Sequence, residues 1–402
     1  MRLYEGLRVV EFTTNIAGPT IGRWLAEYGA DVIHVERPVY GDDSRGYPPM
    51  FDGVSAQYHT LNNGKKSLVL DLKDPEGLKI AKELCKTADI VLESNRPGAM
   101  DRLGLGYEAL REINPRLIYG SISAWGHKGP YADRPGYDVI AQGASGMMYY
   151  NGDDNTGPVK VFCEIGDYGA ATSGFGAINA ALYYRERTGL GQYVDISLVK
   201  TLASMAVKLD DQRIYHRETK KTGSQGSNLL CPYGTFRCPD GRYIIIACSN
   251  NSLTFRFFRL IGRPELCEDP RFASNMKRLE NTEILMPVLY EWLEKMGTAA
   301  NAEKALLSAG LPCSRVYTYE DVDQDPHYNE AGWFADIPMP EGMALRTRRL
   351  VGSPFEFSAD KPEYKPLEGF GCGNYEILGQ LGYSKEQVDQ LETRWAEAVK
   401  KS

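Results

Sequence analysis

Residues 7–36, LRVVEFTTNIAGPTIGRWLAEYGADVIHVE, carry the pattern that predicts the fold class of this chain. An apolar run ends at Phe12, a helical segment surrounds Trp24, and a second apolar run leads from Ala30 to Glu36. Two short apolar runs joined by a helix are typical of a β-α-β unit, in which the two strands lie parallel. We therefore expect a strand, a helix and a second strand of the same sheet.

Predicted strands and helices continue to alternate up to about residue 200. Further strands are expected at Leu68–Leu72, Asp89–Leu92, Arg116–Gly120 and Tyr193–Ser197, and helices at Pro75–Lys86, Tyr107–Ile113 and Ala170–Arg187. This alternation implies an α/β fold, with a parallel sheet and helices on both of its faces. Beyond residue 200, a hairpin turn at Pro239-Asp240-Gly241 and several helices predict a smaller α+β domain.

Four segments follow from this change of pattern. We predict a large α/β domain over residues 1–200, a linker helix and connector over 201–225, a small α+β domain over 226–325, and a C-terminal segment, 326–402, that returns to the large domain. The length of 402 residues agrees with two to three domains.

The composition is that of a soluble globular protein, with 43% hydrophobic and 25% charged residues. A formal net charge of -7 argues against a general nucleic-acid binder, so an anionic ligand would need a local group of arginines and lysines. We expect neither a secretion signal nor a membrane span. Eight cysteines without a Cys-x-x-Cys pair predict reduced thiols in a cytoplasmic protein, and the five histidines show no metal-binding spacing.

One carboxylate stands in an unusual setting. Asp167 follows Gly166 directly ahead of a helix of small residues, and Gly189 would end that helix. An aspartate at a helix start meets the positive end of the helix dipole and unpaired N–H groups, which would keep it ionised. It could be the N-cap of the helix, a nucleophile toward an activated acyl group, or both.

Two nucleotide-binding patterns are incomplete. The turn Asn15–Gly22 lacks Gly-x-Gly-x-x-Gly, and Pro19 removes a backbone donor that a pyrophosphate would use. Glu36 stands where a ribose-binding acid would lie, so an NAD-dependent dehydrogenase remains an alternative that the turn disfavours. Around Lys65 the chain resembles a P-loop, but His59 occupies the place of its first glycine.

Cationic residues gather near the predicted strand ends and in the loops after them. They are Arg37, Lys65, Lys66, Lys73, Arg96, Arg102 and Arg134. In an open α/β sheet the carboxyl ends of the strands line the ligand crevice. These cations therefore predict a site for a phosphorylated ligand such as coenzyme A. His127 is interpreted as a loop residue rather than a catalytic base.

A series of motifs runs through the chain in a fixed order. They are Leu7–Phe12, Ala17–Pro19, Gly29–Glu36, Leu70–Lys73, Arg96–Gly104, Arg187–Gln192, Ala309–Cys313, Asp325–His327, Ser353–Ser358 and Glu376–Tyr383. Over nearly its whole length the chain thereby resembles the class III (family III) CoA-transferases, the group that contains formyl-CoA:oxalate and carnitine CoA-transferases. One such motif would be weak support, but all of them in order are specific to this superfamily.

The resemblance implies a fold and a set of site residues. The fold would be a Rossmann-like large domain joined by linkers to the small domain, with two subunits interlocked as a homodimer. Asp167 would be the nucleophile, and Tyr168 or Gly169 could offer N–H groups to an oxyanion. Contacts to coenzyme A would come from Ile16, Ala17, Arg37, Leu70, Asp71, Leu72, Lys73, Ser94, Asn95, Arg96, Arg102, Arg134 and Tyr137. Of these, Arg37 and Arg102 would hold the nucleotide end.

The resemblance also implies the reaction. Coenzyme A would pass from an acyl-CoA donor to a free carboxylic acid by way of an aspartyl anhydride and an aspartyl-CoA thioester. Coenzyme A would be substrate and product, with no permanently bound cofactor, no metal, and no nucleic acid or membrane as partner. The acyl pair stays open, since carnitine-type, 2-hydroxy-acid and aryl-lactate substrates are all compatible with the sequence.

A second chemistry belongs to the same superfamily. α-Methylacyl-CoA racemases use a histidine in a Gly-His-Asp string opposite the aspartate, and here the string is Gly136-Tyr137-Asp138. Because tyrosine has a reference pKa of about 10, Tyr137 is a poor proton acceptor, and we favour transfer over racemisation or epimerisation. The segment 223–228 also lacks the glycine run that covers the active site in formyl-CoA transferases, which argues against oxalate and formate as substrates.

Overall fold

A computed structural model describes residues 1–205, 221 and 229–401 of the chain. Most of the predicted linker, 201–225, and the whole segment 223–228 lie outside the described residues. Two compact units are present: the first combines Met1–Ser145, Phe162–Ala206 and Ala331–Ser402, and the second combines Gly146–Val161 and Val207–Glu330. The second unit therefore takes in residues 146–161, which the predicted boundaries put in the large domain.

The described residues form thirteen strands and seventeen α-helices. The strands are β1 (Arg8–Phe12), β2 (Asp31–Glu36), β3 (Met50–Phe51), β4 (Val54–Ser55), β5 (Lys66–Val69), β6 (Ile90–Glu93), β7 (Ile118–Ser123), β8 (Tyr193–Ser197), β9 (Tyr233–Arg237), β10 (Tyr243–Ala247), β11 (Cys313–Arg315), β12 (Phe334–Pro338) and β13 (Thr347–Val351). The helices are α1 (Ala17–Glu27), α2 (Ala56–Asn62), α3 (Pro75–Thr87), α4 (Ala99–Arg102), α5 (Tyr107–Ile113), α6 (Asp138–Ala144), α7 (Met147–Tyr150), α8 (Ile165–Thr188), α9 (Leu198–Met205), α10 (Asn251–Leu260), α11 (Asn275–Glu280), α12 (Thr282–Met296), α13 (Ala299–Ser308), α14 (Tyr319–Gln324), α15 (Pro326–Glu330), α16 (Asn374–Gln380) and α17 (Lys385–Lys401). No described helix combines the length and apolar character that a bilayer crossing requires.

The first unit is built on a parallel sheet, as the sequence predicts. Its described strands lie in the order β5-β2-β1-β6-β7-β8, and every neighbouring pair is parallel. The chain starts in the middle of the sheet at β1, adds β2 and β5 on one side, and then crosses to β6, β7 and β8 on the other. At the reversal between β1 and β6 the loops after the strands diverge, which is where open α/β sheets form a ligand crevice.

One strand is shorter and earlier than predicted. β5 covers Lys66–Val69 instead of 68–72. The Leu70 N–H still bonds to Glu36 O at 3.0 Å, but Asp74 N–H then bonds to Asp71 O at 3.1 Å and closes a turn. The segment after β5 therefore leaves the sheet at its carboxyl edge, beside the crevice.

Helices cover both faces of this sheet. On one face, Gly174 of α8 lies so close to its neighbours that a Cβ atom would come within 2.8 Å of Ile21 and Ile196. The small residues of α8 thus allow that helix to pack directly against α1 and the sheet. On the other face, Leu391 and Trp395 of α17 join the buried core that the strands form with α3 and α5.

The second unit has its own core and is α+β, as predicted. Strands β9, β10 and β11 form an antiparallel sheet in the order β11-β10-β9. The predicted hairpin turn joins β9 to β10, with Gly241 at a φ of 80°, a left-handed conformation that suits glycine. Phe257, Phe258 and Trp292 fill the core beside the sheet.

Candidate active site

Asp167 lies inside the first turn of α8 rather than in front of it. The helix begins at Ile165, and Glu164, at the N-cap position, makes no side-chain cap. The interpretation of Asp167 as the N-cap is therefore wrong, because the helix starts before the run of small residues. Its far end is as predicted, since Gly189 has a φ of 76° and donates its N–H to Arg185 O at 2.8 Å.

A second carboxylate holds the start of this helix. Asp138, buried in the first turn of α6, accepts the Gly166 N–H at Oδ1 (2.6 Å) and Gln142 Nε2 at Oδ2 (2.7 Å). A Cβ atom on residue 166 would lie 2.8 Å from that Oδ1, so the contact requires glycine there. The backbone next to Asp167 is thus fixed by a hydrogen bond to a charged group, which is stronger than one between neutral groups.

The pKa of the Asp167 carboxyl is raised from 3.8 to about 7. Burial is the largest cause, and the nearby carboxyls of Asp138 and Glu164 raise the pKa further. The expectation that the helix start keeps Asp167 ionised is therefore wrong at neutral pH, because lost hydration and two like charges outweigh the helix dipole. Near pH 7 the protonated and ionised forms of Asp167 coexist.

The Asp167 side chain is partly exposed. In the part of the chain that the structure describes, no hydrogen bond or ion pair occupies its oxygens. The predicted oxyanion donors are less available, since Tyr168 already donates its N–H to Glu164 O at 3.0 Å. The Gly169 N–H, one residue further into the helix, has the carbonyl four residues earlier as its regular partner. Asp167 therefore offers a free carboxyl, but these two amides do not offer a preformed oxyanion hole.

A cavity of about 850 Å³ opens at the carboxyl ends of β1, β2, β5 and β6. This volume is in the range of cofactor pockets, and the cavity lies at the reversal of strand order. Of the residues expected to contact coenzyme A, those that line it are Arg37, Leu70, Asp71, Leu72, Lys73, Asn95 and Arg102. The structure thus brings together the residues from three separate loops and α4 that the resemblance assigns to one ligand.

Other expected contacts do not line this cavity. Ile16 and Ala17 are buried where α1 begins. Ser94 Oγ accepts the Thr14 N–H at 3.0 Å, so its hydroxyl joins the loop after β6 to the loop after β1. Arg96 is exposed to solvent.

The last two expected contacts lie in the chain between β7 and α6. The Arg134 guanidinium stacks on the Tyr131 ring, 3.5 Å from its centroid. Tyr137 is the N-cap residue of α6 and is 71% exposed, directly before the buried Asp138. Neither residue lines the cavity.

Two cations that the sequence placed at the crevice serve other purposes. Lys65 is buried, with Nζ 2.6 Å from Glu11 Oε1 and 2.9 Å from Asn62 Oδ1. Lys66 is the first residue of β5, at the amino end of the strand, and pairs with Asp31 at 3.0 Å. The predictions that Lys65 and Lys66 contact a phosphate are both wrong, because the position of a lysine near a strand does not show where its side chain finds its partners.

Glu36, the possible ribose acid of the dehydrogenase alternative, is already committed to protein partners. Its Oε2 accepts Arg45 Nε at 2.6 Å and its Oε1 accepts the Ser67 hydroxyl at 2.6 Å. Burial alone would raise its pKa, but Arg45 and the charge of His34 lower it to about 2. A ribose hydroxyl would have to displace an internal ion pair, which removes the main support for a dehydrogenase.

Glu93 is a buried acid, bonded to a residue that lines the cavity, which the sequence did not single out. Its Oε2 accepts the Asn95 N–H at 2.8 Å, and Asn95 Nδ2 donates to Phe12 O at 3.1 Å. Its Oε1 accepts the Ser121 hydroxyl, whose Oγ also lies 2.7 Å from His127 Nε2 in the loop after β7. Burial raises the Glu93 pKa to about 7. Nothing in the strand pattern separates this buried acid from an exposed one at a strand end.

Comparisons with known proteins place the whole chain in one group. A family model described as CoA-transferase family III matches residues 4–367. The chain is 34% identical over 390 residues to the succinate–glutarate CoA-transferase of Agrobacterium fabrum, covering 94% of this chain and 95% of that protein. It is 35% identical over 397 residues to the succinyl-CoA:glutarate CoA-transferase of Mus musculus (97% and 89% covered) and 37% identical over 311 residues to the acetyl-CoA:oxalate CoA-transferase of Acetobacter aceti (77% and 79%).

Solved structures show the same fold. A CAIB/BAIF family protein from Brucella suis superposes with a TM-score of 0.81 at 32% identity, covering 94% of this chain and 99% of that chain. The protein Rv3272 from Mycobacterium tuberculosis superposes with a TM-score of 0.81 at 28% identity, with the same coverage of 94% and 99%.

Proposed function

The chain belongs to CoA-transferase family III, and from that premise we propose that it moves coenzyme A from an acyl-CoA donor to a carboxylic acid, with Asp167 as the nucleophile. The observation that carries the proposal is the state of Asp167: its carboxyl is partly exposed and unpaired within the described residues, on backbone that Asp138 holds through Gly166. A positioned carboxylate of this kind can form a covalent acyl intermediate.

The reaction runs through two kinds of enzyme-bound intermediate. Asp167 attacks the thioester carbonyl of the donor, which gives an acyl-aspartyl anhydride and releases the coenzyme A thiolate. The thiolate attacks the aspartyl carbonyl, which frees the donor acid and leaves an aspartyl-CoA thioester. The acceptor carboxylate attacks that thioester and forms a new anhydride, and the thiolate then takes the acceptor acyl group and restores Asp167.

This series of reaction steps exchanges one thioester for another, so the reaction requires no ATP. The raised pKa of Asp167 has two opposing effects on it. A more basic carboxylate is a better nucleophile, but only the ionised fraction can attack. The raised pKa therefore makes each ionised Asp167 a better nucleophile than an ordinary aspartate. The ionised form predominates only above pH 7.

We assign the cavity beside β1 and β6 to coenzyme A. Arg37, Lys73 and Arg102 line it, and such cations are the partners that phosphate groups require in a protein of net charge -7. Asn95 lines it too, held in place by Glu93. The ligand would lie where the strand order reverses, as in other open α/β sheets.

We also propose short dicarboxylic acids as the acyl pair, with succinyl-CoA as the first donor to test. The relatives from Agrobacterium fabrum and Mus musculus are named for succinate or succinyl-CoA and glutarate. An interlocked homodimer and a cytoplasmic location, where the eight cysteines would stay reduced, belong to the same proposal. Light scattering of the purified chain tests the dimer.

The deciding experiment compares Asp167→Asn with Glu164→Gln, which removes a neighbouring carboxylate that is exposed. Each protein is mixed with succinyl-CoA and a panel of free acids, and new CoA esters are read by mass spectrometry. We expect transfer by the wild type and by Glu164→Gln and none by Asp167→Asn. Substrate-loaded wild type, quenched and digested, should yield a peptide spanning position 167 with added coenzyme A mass.

The same proteins and substrates also distinguish CoA transfer from racemisation. α-Deuterium exchange in D₂O without formation of a new CoA ester would support racemisation and reject transfer. Full turnover by Asp167→Asn would reject the assigned nucleophile.

A further inference from the structure

The apolar stripe of the C-terminal helix α17 continues beyond the core of the first unit. Val388, Leu391 and Trp395 are buried at helical spacing and belong to the core under the sheet. The next positions on the same side of the helix are Ala398 and Val399. Both line the cavity at the carboxyl edge of the sheet instead of entering the core.

Polar contacts hold this helix against the cavity. Arg394 Nη2 donates to Asp74 Oδ1 at 2.7 Å. The same Asp74 oxygen caps α3 by accepting the Glu76 N–H at 3.0 Å, and Asp74 is itself part of the cavity lining. The turn of α17 that precedes Ala398 and Val399 is thus held by an apolar contact at Trp395 and a polar contact at Arg394.

Besides the carboxylates of Glu36, Asp42, Asp71 and Asp74, which already accept hydrogen bonds from the protein, the cavity offers two kinds of surface. Its cations are Arg37, Lys73 and Arg102, and apolar side chains that line it include Leu72, Leu103, Ala398 and Val399. A ligand portion that combines phosphate groups with a flat apolar face matches both surfaces. In coenzyme A that portion is the adenosine 3′-phosphate with its pyrophosphate, whereas the pantetheine arm carries no phosphate of its own.

We propose that Ala398 and Val399 are binding residues for the nucleotide end of coenzyme A. The last turn of α17 would supply the apolar wall against which the adenosine packs while the cations meet the phosphates. This inference rests on the proposed assignment of the cavity to coenzyme A. It adds a segment from the C-terminal end of the chain to a set of contacts that the resemblance confined to residues 16–137.

The test is a matched pair of charge insertions in one helix. Val399→Asp puts a carboxylate into the cavity wall, where it would face the ligand phosphates. Thr393→Asp puts the same charge at an exposed position of α17, where the Thr393 hydroxyl donates to Asp389 O within the helix. Binding of free coenzyme A to the full-length proteins is measured by calorimetry. We expect Val399→Asp to raise the Kd about tenfold or more and Thr393→Asp to change it by less than about twofold.

Turnover of a short substrate shows whether the active site survives. An acyl-pantetheine lacks the nucleotide, so Val399→Asp should process it with wild-type kcat/KM while losing kcat/KM with acyl-CoA. Equal losses with both substrates would mean that the helix supports the fold only, which overturns the inference. Ala398→Trp is the second variant, because the exposed Ala398 can be enlarged without changing the core, and it should also weaken coenzyme A binding.

Failure of the inference differs from failure of the proposed function. If Val399→Asp and Ala398→Trp bind coenzyme A like the wild type, α17 is not part of the site, whatever Asp167 does. If both weaken coenzyme A binding although no acid acceptor is ever esterified, the cavity assignment stands and the transfer reaction is wrong.

Discussion

Asp138 and Gly166 are joined by a hydrogen bond of 2.6 Å between a side-chain oxygen and a backbone N–H. This contact connects the start of α6 to the start of α8 one residue before Asp167. The same carboxyl raises the pKa of Asp167 by its charge, after burial, which is the larger cause. One residue therefore both positions the proposed nucleophile and contributes, after burial, to the pH range in which it is ionised.

The activity should depend on pH through Asp167. Its raised pKa of about 7 means that the carboxylate form grows as the pH rises from about 6 to 8. We expect kcat/KM for acyl-CoA to rise along an acid limb with an apparent pKa near 7 and to level off above it. A profile that is flat between pH 5 and 8 would contradict this assignment.

Replacing Asp138 by asparagine should move that limb. The asparagine side chain can still accept the Gly166 N–H but carries no charge, so one cause of the raised Asp167 pKa disappears. We expect the acid limb of Asp138→Asn to shift to lower pH, with a plateau within about tenfold of the wild type. Asp138→Ala is the contrast, because it also removes the acceptor and should lower the plateau more. An unshifted limb in Asp138→Asn would show that charge at this position does not act on Asp167.

The buried pair of Lys65 and Glu11 should contribute strongly to the free energy of unfolding. Lys65→Met removes the cation 2.6 Å from a carboxylate that is completely buried. Leaving a buried charge with fewer partners costs roughly 3–5 kcal/mol. The control is Lys66→Met, whose partly exposed pairs with Asp31 and Glu376 should cost less than about 1 kcal/mol. Urea unfolding measures the free energy of unfolding of both variants. Equal losses would contradict the expected difference between a buried and a partly exposed ion pair.

The stability contributed by Glu93 should fall as the pH rises. Burial raises its pKa from 4.5 to about 7 in the folded state, so the folded protein retains a proton that the unfolded chain releases at lower pH. The stabilisation is complete below about pH 4.5 and is lost as the pH rises through 7. Glu93→Gln cannot lose a proton, and its amide can still accept the Asn95 N–H. Relative to the wild type, we expect the free energy of unfolding of Glu93→Gln to rise by about 2 kcal/mol between pH 5 and pH 8.

The same variant tests whether Glu93 acts on the ligand loop. Glu93→Gln should keep the KM for acyl-CoA, whereas Glu93→Ala, which frees Asn95, should raise KM more than it lowers kcat. A loss of kcat alone in Glu93→Ala would place the role of Glu93 elsewhere.

Asp167 shows which features of a site the local sequence can predict. Its neighbours predicted a helix of small residues that ends at Gly189, and the structure has that helix. The protonation of Asp167 was predicted incorrectly, because the helix dipole is visible in the local sequence, whereas the burial of Asp167 and its proximity to Asp138 are not. Lys65 and Lys66 show the same limit of the local sequence. They are adjacent and of the same residue type, yet one is buried against Glu11 and the other pairs near the surface.

The sequence by itself determined the α/β class, the parallel strands around β1, the family and the place of Asp167 ahead of small residues. These features depend on periodicity, on glycine and proline preferences and on motif order, which are local properties of the chain. Only the tertiary structure decided that Asp138 acts on Asp167, that Glu93 is buried against Ser121, and that α17 ends in the wall of the cavity. Those relations join residues far apart in the chain, and burial and distance in space, which set their strength, do not follow from position along it.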